Sequence, residues 1–441
     1  MAIDVVALRA HFPSLSQGFA FFDGPGGTQT PVPVAEAIVR TMTGPLSNRG
    51  TVSTSERNAE RSVAGFRAAY ADLLGVPASG IVHGRSATQL TYDFSRHLAK
   101  GWRAGDEIVL SRLDHDANVR PWIQAAERAG AAVRWIEIDE ATTGLDLDSY
   151  ERALSSRTRL VAVTAASNVL GTRPPVRRIA DRAHEVGALV FVDGVHYAAH
   201  HLVDVPALGA DLFVCSPYKF LGPHCGVLAG SPDVLEALAP DKLLPSTDTV
   251  PERFEFGTLP YEILAGATAA VDFLAAMDPG GEGDGRARDG HAPAGRAPAG
   301  RAPDAGKPDD EGPDDEGPDD GEPGASRRER LKRSLRSLHV HENALRSRVE
   351  EGLRALGDAV TVHSKAPDRT PTVLMTLKGR DAREAQAHLA ARGVVAPAGS
   401  FYAYEVFAAL KLPDPSLRVG LAPYNDTEDV DRLLDGLASF L

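Results

Sequence analysis

The chain has 441 residues, 43% of them apolar, a formal net charge of −13 and two cysteines. That is enough apolar material for two domains, too few cysteines for a disulfide framework, and the wrong charge for a nucleic-acid partner. No apolar run approaches the roughly 18 residues of a membrane span, and no basic region precedes an apolar core at the N-terminus, so a cytoplasmic chain with no membrane contact is expected.

Taken in order, the pattern opens with a short helix from Val5 to Phe12. It leads to Ala20-Phe-Phe-Asp-Gly-Pro-Gly-Gly27, where glycines let the backbone approach a ligand closely. Short strands rich in Val, Ile and Leu then alternate with helices at Val34 to Thr43, Ser62 to Leu74 and Val176 to Val186. This alternation predicts an α/β fold, a doubly wound and mostly parallel sheet with helices on both faces. Ile81-Val-His-Gly-Arg-Ser-Ala-Thr-Gln-Leu90 runs from a strand through small residues into a helix. Ala87 and Thr88 then sit in a first turn that can offer backbone N–H groups to a phosphate; an ordinary N-cap would use the same residue types. Strand ends next supply polar groups one after another: His115 past Glu107-Ile-Val-Leu-Ser111, and Asn168 past Leu160-Val-Ala-Val-Thr164.

Asp193 ends the apolar strand Ala188-Leu-Val-Phe-Val-Asp193, and Lys219 comes 26 residues later in Val214-Cys-Ser-Pro-Tyr-Lys-Phe-Leu-Gly-Pro223. A lysine amine able to form a Schiff base, with a carboxylate to pair with a pyridinium nitrogen, is what a pyridoxal 5'-phosphate site needs. A flat imidazole at His115 can stack on the ring, and the amide of Asn168 can reach its phenolic oxygen.

Residues 279–326 hold 13 acidic against 5 basic residues, with Ala-Pro-Ala-Gly-Arg duplicated and Pro-Asp-Asp-Glu-Gly repeated. With no aromatic or large aliphatic side chain, this insertion cannot offset chain entropy by burial, so a disordered linker is expected, passive in the favoured reading and a docking segment in the alternative. Beyond it the pattern gives a long basic helix from Glu329 to Leu356 and strands near 359–363 and 371–377. A helix near 381–392, a strand at 416–421 and a closing helix from Glu428 complete a smaller α+β domain. The expected organisation is therefore 1–14 packing on the small domain, 15–278 as the large domain, 279–326 as the insertion and 327–441 as the small domain.

On these motifs the chain resembles the fold-type I pyridoxal-phosphate enzymes of the class V aminotransferase and cysteine desulfurase superfamily, most closely its cysteine desulfurase-like branch. The resemblance covers nearly everything but the insertion. It implies Lys219 as the Schiff-base lysine, Asp193 as the pyridinium partner and His115 as the stacking ring, with Asn168 and His196 near the phenolic oxygen. Ser216, Tyr218, Ala87 and Thr88 become phosphate ligands. Thr258, in Arg253-Phe-Glu-Phe-Gly-Thr258, would reach the cofactor of a neighbouring subunit in a homodimer, and Arg418, in Ser416-Leu-Arg-Val-Gly420, would clamp the substrate α-carboxylate.

The family's desulfurases present a nucleophilic cysteine on a loop before that arginine. Here the stretch reads Val394-Val-Ala-Pro-Ala-Gly-Ser-Phe-Tyr-Ala-Tyr404, with Tyr402 in the thiol's place. The two cysteines, Cys215 and Cys225, flank the lysine and read as small buried hydrophobes. The expectation is a lyase or transferase acting on a small L-amino acid through an external aldimine, foremost a C–S lyase, in which Tyr402 shapes the pocket, donates a proton to the leaving group or simply packs. Cysteine desulfurase, aminotransferase, epimerase and a non-catalytic cofactor-binding scaffold are the alternatives.

Overall fold

The computed structural model describes residues 3–278 and 325–441. The expected disordered insertion therefore lies, apart from Ala325 and Ser326, outside the described residues. The main sheet has seven strands: β1 (Ile81–Gly84), β2 (Glu107–Ser111), β3 (Ala132–Ile136), β4 (Thr158–Thr164), β5 (Leu189–Asp193), β6 (Leu212–Cys215) and β7 (Gly226–Gly230). Their spatial order is β1-β7-β6-β5-β4-β2-β3. Only β7 runs antiparallel to its neighbours; β3, β2, β4, β5 and β6 are parallel.

Strand alternation feeds two separate cores. Val161, Val163, Val190, Val192 and Phe213 point into one, with helix residues such as Ile179, Leu73 and Leu264. Leu160, Ala162, Phe191, Leu212 and Val214 point into the other, with Leu90, Phe94 and Trp122. Both faces of the sheet are thus covered, which is why these strands read as continuous apolar runs.

A second sheet, wholly antiparallel, has β8 (Val360–Val362), β9 (Thr372–Leu377), β10 (Ala398–Gly399) and β11 (Ser416–Gly420) in the order β8-β9-β11-β10. The helix Arg327–Ala355 joins the two layers. Its first half buries Leu331, Leu335 and Leu338 in the main core, and its second half buries Leu345, Val349 and Leu353 against the second sheet. Ser326 and Glu329 close a capping box at its start.

The first helix ends at Arg9 rather than continuing to Phe12. Pro13 disfavours helical geometry in the residue before it, and Phe12 is extended at φ −114°. Arg9 bonds Asp429 at 2.8 Å and the Tyr424 carbonyl at 2.7 Å, tying the segment to the C-terminal helix Thr427–Phe440, while Leu8, Phe12 and Leu15 pack into the main core and the Phe12 ring meets that of Phe273. The helix expected from Ser62 starts at Thr54, because Ser53 and Glu56 form a second capping box ahead of the apolar pattern.

Candidate active site

Strands β2, β4, β5 and β6 share a direction, so the loops after them meet along one edge of the sheet, where open α/β sheets bind ligands. Ala87, Thr88, His115, Asn168, Asp193, His196, Ser216, Tyr218 and Lys219, all singled out in the sequence, line one cavity there. An adjoining cavity opens outward from Lys219 and His115 and adds Arg418, Phe401 and Tyr402. Thr258 is not among them; it lines a different cavity with His83, Arg85 and Glu255.

The floor of the first cavity is the start of the helix Ala87–Ala99. Ser86 caps it by accepting from the Gln89 N–H at 3.1 Å. The first N–H groups of a helix have no intrahelical partner and face an anion readily. Gly226 makes the approach of β7 possible, since a Cβ there would lie 2.4 Å from the Ser86 carbonyl carbon.

Lys219 is buried, in a tight turn after β6. Burial and the nearby Arg418 charge bring its amine down to about 8, with Asp193 opposing them. Among the described residues no hydrogen bond or ion pair holds its Nζ. Asp193 accepts from the Val195 N–H at 2.8 Å, and burial raises its carboxyl above the ordinary range despite that bond and Lys219. A buried carboxylate of this kind calls for a cationic partner. His115 caps the short turn after it: Nδ1 accepts from the Ala117 N–H at 3.0 Å, leaving Nε2 as the protonated nitrogen. Burial, then the charges of Lys219 and Arg418, bring it down to about 3, so it is a neutral, flat ring.

Two expected ligands turn out to be partly committed elsewhere. Asn168 donates Nδ2–H to the Phe401 carbonyl at 2.9 Å, while its Oδ1 is buried with no partner among the described residues. His196 meets the hydroxyls of Thr370 and Thr372 through Nε2, at 2.9 and 3.0 Å, and its Nδ1 is buried with no partner among the described residues. Unmatched polar atoms in a cavity wall, a free amine, a lone acid and an open helix N-terminus fit the parts of pyridoxal 5'-phosphate.

Arg418, on β11, is buried beside this wall. Its Nη1 donates to the Asn168 carbonyl at 3.1 Å, its guanidinium lies 3.9 Å from the centre of the Phe401 ring, and Nε has no partner among the described residues. Burial lowers it to about 9 while Asp23 and Tyr218 oppose the shift, so it remains a cation at neutral pH. The glycines of the Ala20–Gly27 segment serve this arrangement of side chains: a Cβ at Gly26 would sit 3.3 Å from Arg418 Nη2, and one at Gly27 3.2 Å from the Tyr218 ring.

Tyr402 stands at the cavity mouth, 77% exposed, with its ring 5.6 Å from that of His115. Phe401 and Tyr402 both adopt left-handed backbone (φ 55° and 56°), a conformation that side chains other than glycine adopt at a cost. The Asp116 N–H bonded to the Tyr402 carbonyl at 2.7 Å and the Asn168 amide on the Phe401 carbonyl hold the turn.

Sequence reasoning missed Asp114. It is 1% exposed and accepts from Ser111 Oγ and from Asn118 Nδ2 (2.7 Å), whose Oδ1 accepts from Trp122 Nε1. Burial, with the charge of Asp193 adding to it, pushes this carboxyl up to about 8. The signal available was an acid immediately before His115 with an amide one helical turn later.

A lysine, an acid and a flat imidazole converging at the carboxyl edge of a parallel sheet define a cofactor-dependent enzyme of the α/β class. The model of the aminotransferase class-V family matches residues 20–279 and 331–433, and the chain belongs to that family of pyridoxal-phosphate enzymes. It is 29% identical to the uncharacterized protein MT3887 of Mycobacterium tuberculosis (strain CDC 1551 / Oshkosh), over the full length of both. It is 34% identical to a probable cysteine desulfurase of Vibrio cholerae over 63% of this chain and 74% of that one. The cysteine desulfurase CsdA of Escherichia coli superposes with a TM-score of 0.80 at 23% identity, covering 100% of this chain and 98% of that one, which shows the shared fold. Among the described residues no helix is long and apolar enough to cross a membrane.

Proposed function

We propose that the protein is a C–S lyase acting on cysteine or a cysteine conjugate, not a persulfide-forming desulfurase. The observation that carries this reading is the state of its thiols. The segment where desulfurases of the family present a cysteine has none. Cys215 and Cys225 are both buried, with burial pushing the first thiol well above its ordinary range and the second up to about 12. Neither is a thiolate able to accept sulfur.

Lys219, Asp193, His115, Asn168, His196, Ser216 and Tyr218, with the helix start at Ala87 and Thr88, would hold pyridoxal 5'-phosphate. When bound, the cofactor supplies an electron-poor ring that weakens bonds at the substrate α-carbon. Arg418 binds the α-carboxylate and so sets which of those bonds faces the reacting position. Lys219, with an amine near 8, has a usable neutral fraction and takes the α-proton. His115, uncharged and flat, would lie against the cofactor as a stacking plate. Tyr402 bounds the mouth through which the sulfur substituent leaves. Net, a cysteine conjugate and one water give thiol, ammonia and pyruvate: the Cα–H, Cβ–S and Cα–N bonds break, the sulfur leaves with a proton, the β-carbon gains one to become a methyl group, and the water oxygen becomes the keto oxygen.

The same proposal includes a cytoplasmic homodimer in which Thr258 serves the neighbouring site, which its separation from the Lys219 cavity supports. It also keeps the division into domains at 15–278 and 327–441. The test is product identification with the holoenzyme. Pyruvate from cysteine or an S-substituted cysteine is expected, with borohydride fixing a pyridoxyl label on Lys219. Alanine together with a protein persulfide would overturn it.

A further inference from the structure

Behind the cofactor cavity a chain of buried polar groups runs to a helix that the reaction does not otherwise involve. His196 lines the cavity with Nδ1 unpartnered, and its ring meets that of His200 edge-on, centroids 5.0 Å apart at 78°. His200 Nδ1 in turn bonds Glu342 Oε2 at 2.9 Å, with side chains only 3% and 2% exposed. Glu342 belongs to the helix Arg327–Ala355, 142 residues along the chain from His200. Among the described residues its other oxygen is buried and unpartnered, so there this carboxyl rests on the one histidine. A buried carboxylate with a single donor is costly as mere packing, but it fixes the orientation of the imidazole it holds.

We propose that Glu342 is a positioning residue for the cofactor pocket: through His200 it sets the plane of His196 and the turn that leads from Asp193. Thr370 and Thr372 grip the far nitrogen of His196, so Glu342 and the two threonines fix the ring from two sides, and all three come from the C-terminal part of the chain. The helix thereby carries the placement of the second sheet into the pocket. This inference rests on the reading of His196 as a cofactor-facing residue.

The test uses the full chain, stripped of cofactor and titrated with pyridoxal 5'-phosphate, reading the dissociation constant and the visible absorption band. Glu342→Ala removes the acceptor and Glu342→Asp draws it back by one methylene. Both are expected to weaken cofactor binding about tenfold and to shift the band. Glu342→Gln, whose amide oxygen still accepts from His200, is expected to restore both. A lowered thermal midpoint with unchanged dissociation constant and band in the Asp and Ala variants would make the pair purely structural and overturn the proposal. Should the Ala variant fail to fold, the Asp and Gln variants decide alone. His196→Ala separates the layers: if it too leaves both readouts unchanged, the site reading itself fails, whereas a change there with none at Glu342 sinks only the positioning role.

Discussion

Asp114→Asn tests the electrostatics behind the site. In the folded chain this carboxyl titrates near 8, against an ordinary value of 3.8, so the folded state binds its proton across that interval while the unfolded state does not. The stabilisation linked to that proton is fully present below about 4 and is lost as pH rises through about 8, at about 1.4 kcal/mol per pH unit. From about pH 6 to about pH 8 the wild-type chain should therefore lose about 2 kcal/mol relative to Asp114→Asn, whose amide cannot ionise. Exchanging the acceptor for an amide disturbs the bonds from Ser111 and Asn118, so the variant's absolute stability shifts as well. The slope is the informative quantity. Chemical denaturation of the cofactor-free protein across that range measures it, and parallel stability curves for the two proteins would refute the reasoning.

Three further outcomes are expected. Cys215→Ala with Cys225→Ala should keep turnover within about twofold, at a stability cost of about 1 kcal/mol for each small cavity, by steady-state assay and thermal melting. Arg418→Lys should lower kcat/KM by about tenfold or more while cofactor affinity is kept, because an ammonium cannot offer the planar two-pronged contact to a carboxylate. Ser53→Ala removes the cap of the helix Thr54–Leu74 and should cost about 1 kcal/mol in a denaturant titration without altering KM.

Much of this was legible because the strands of a doubly wound sheet are buried on both faces and end on one edge. Asp193, Lys219, His115 and Asn168 could be placed from apolar runs and the polar residues at their carboxyl ends. The features that escaped depended on contacts between distant parts of the chain. Nothing local indicates that Asn168 would support the Phe401 carbonyl, or that Gly26 and Gly27 make room for Arg418 and Tyr218. Asp114 was overlooked because its significance is its burial beside Asp193, which no periodicity reports. The start of the helix at Thr54 was legible, since Ser53 and Glu56 have capping-box spacing, but the apolar pattern that begins later outweighed it.

The helix Arg327–Ala355 is capped at its first turn by its neighbours in sequence, Ser326 and Glu329, and it packs against the end of the helix before the insertion, Tyr261–Ala276. The Asp278 N–H bonds Ser334 Oγ at 3.0 Å, and its carbonyl accepts from Arg333 Nε at 3.0 Å. The segment that leaves the main layer and the helix on which the chain resumes are thus bonded to each other. With these two elements held to each other, trimming the acidic repeats in the sequence between them is expected to leave the catalytic geometry unchanged.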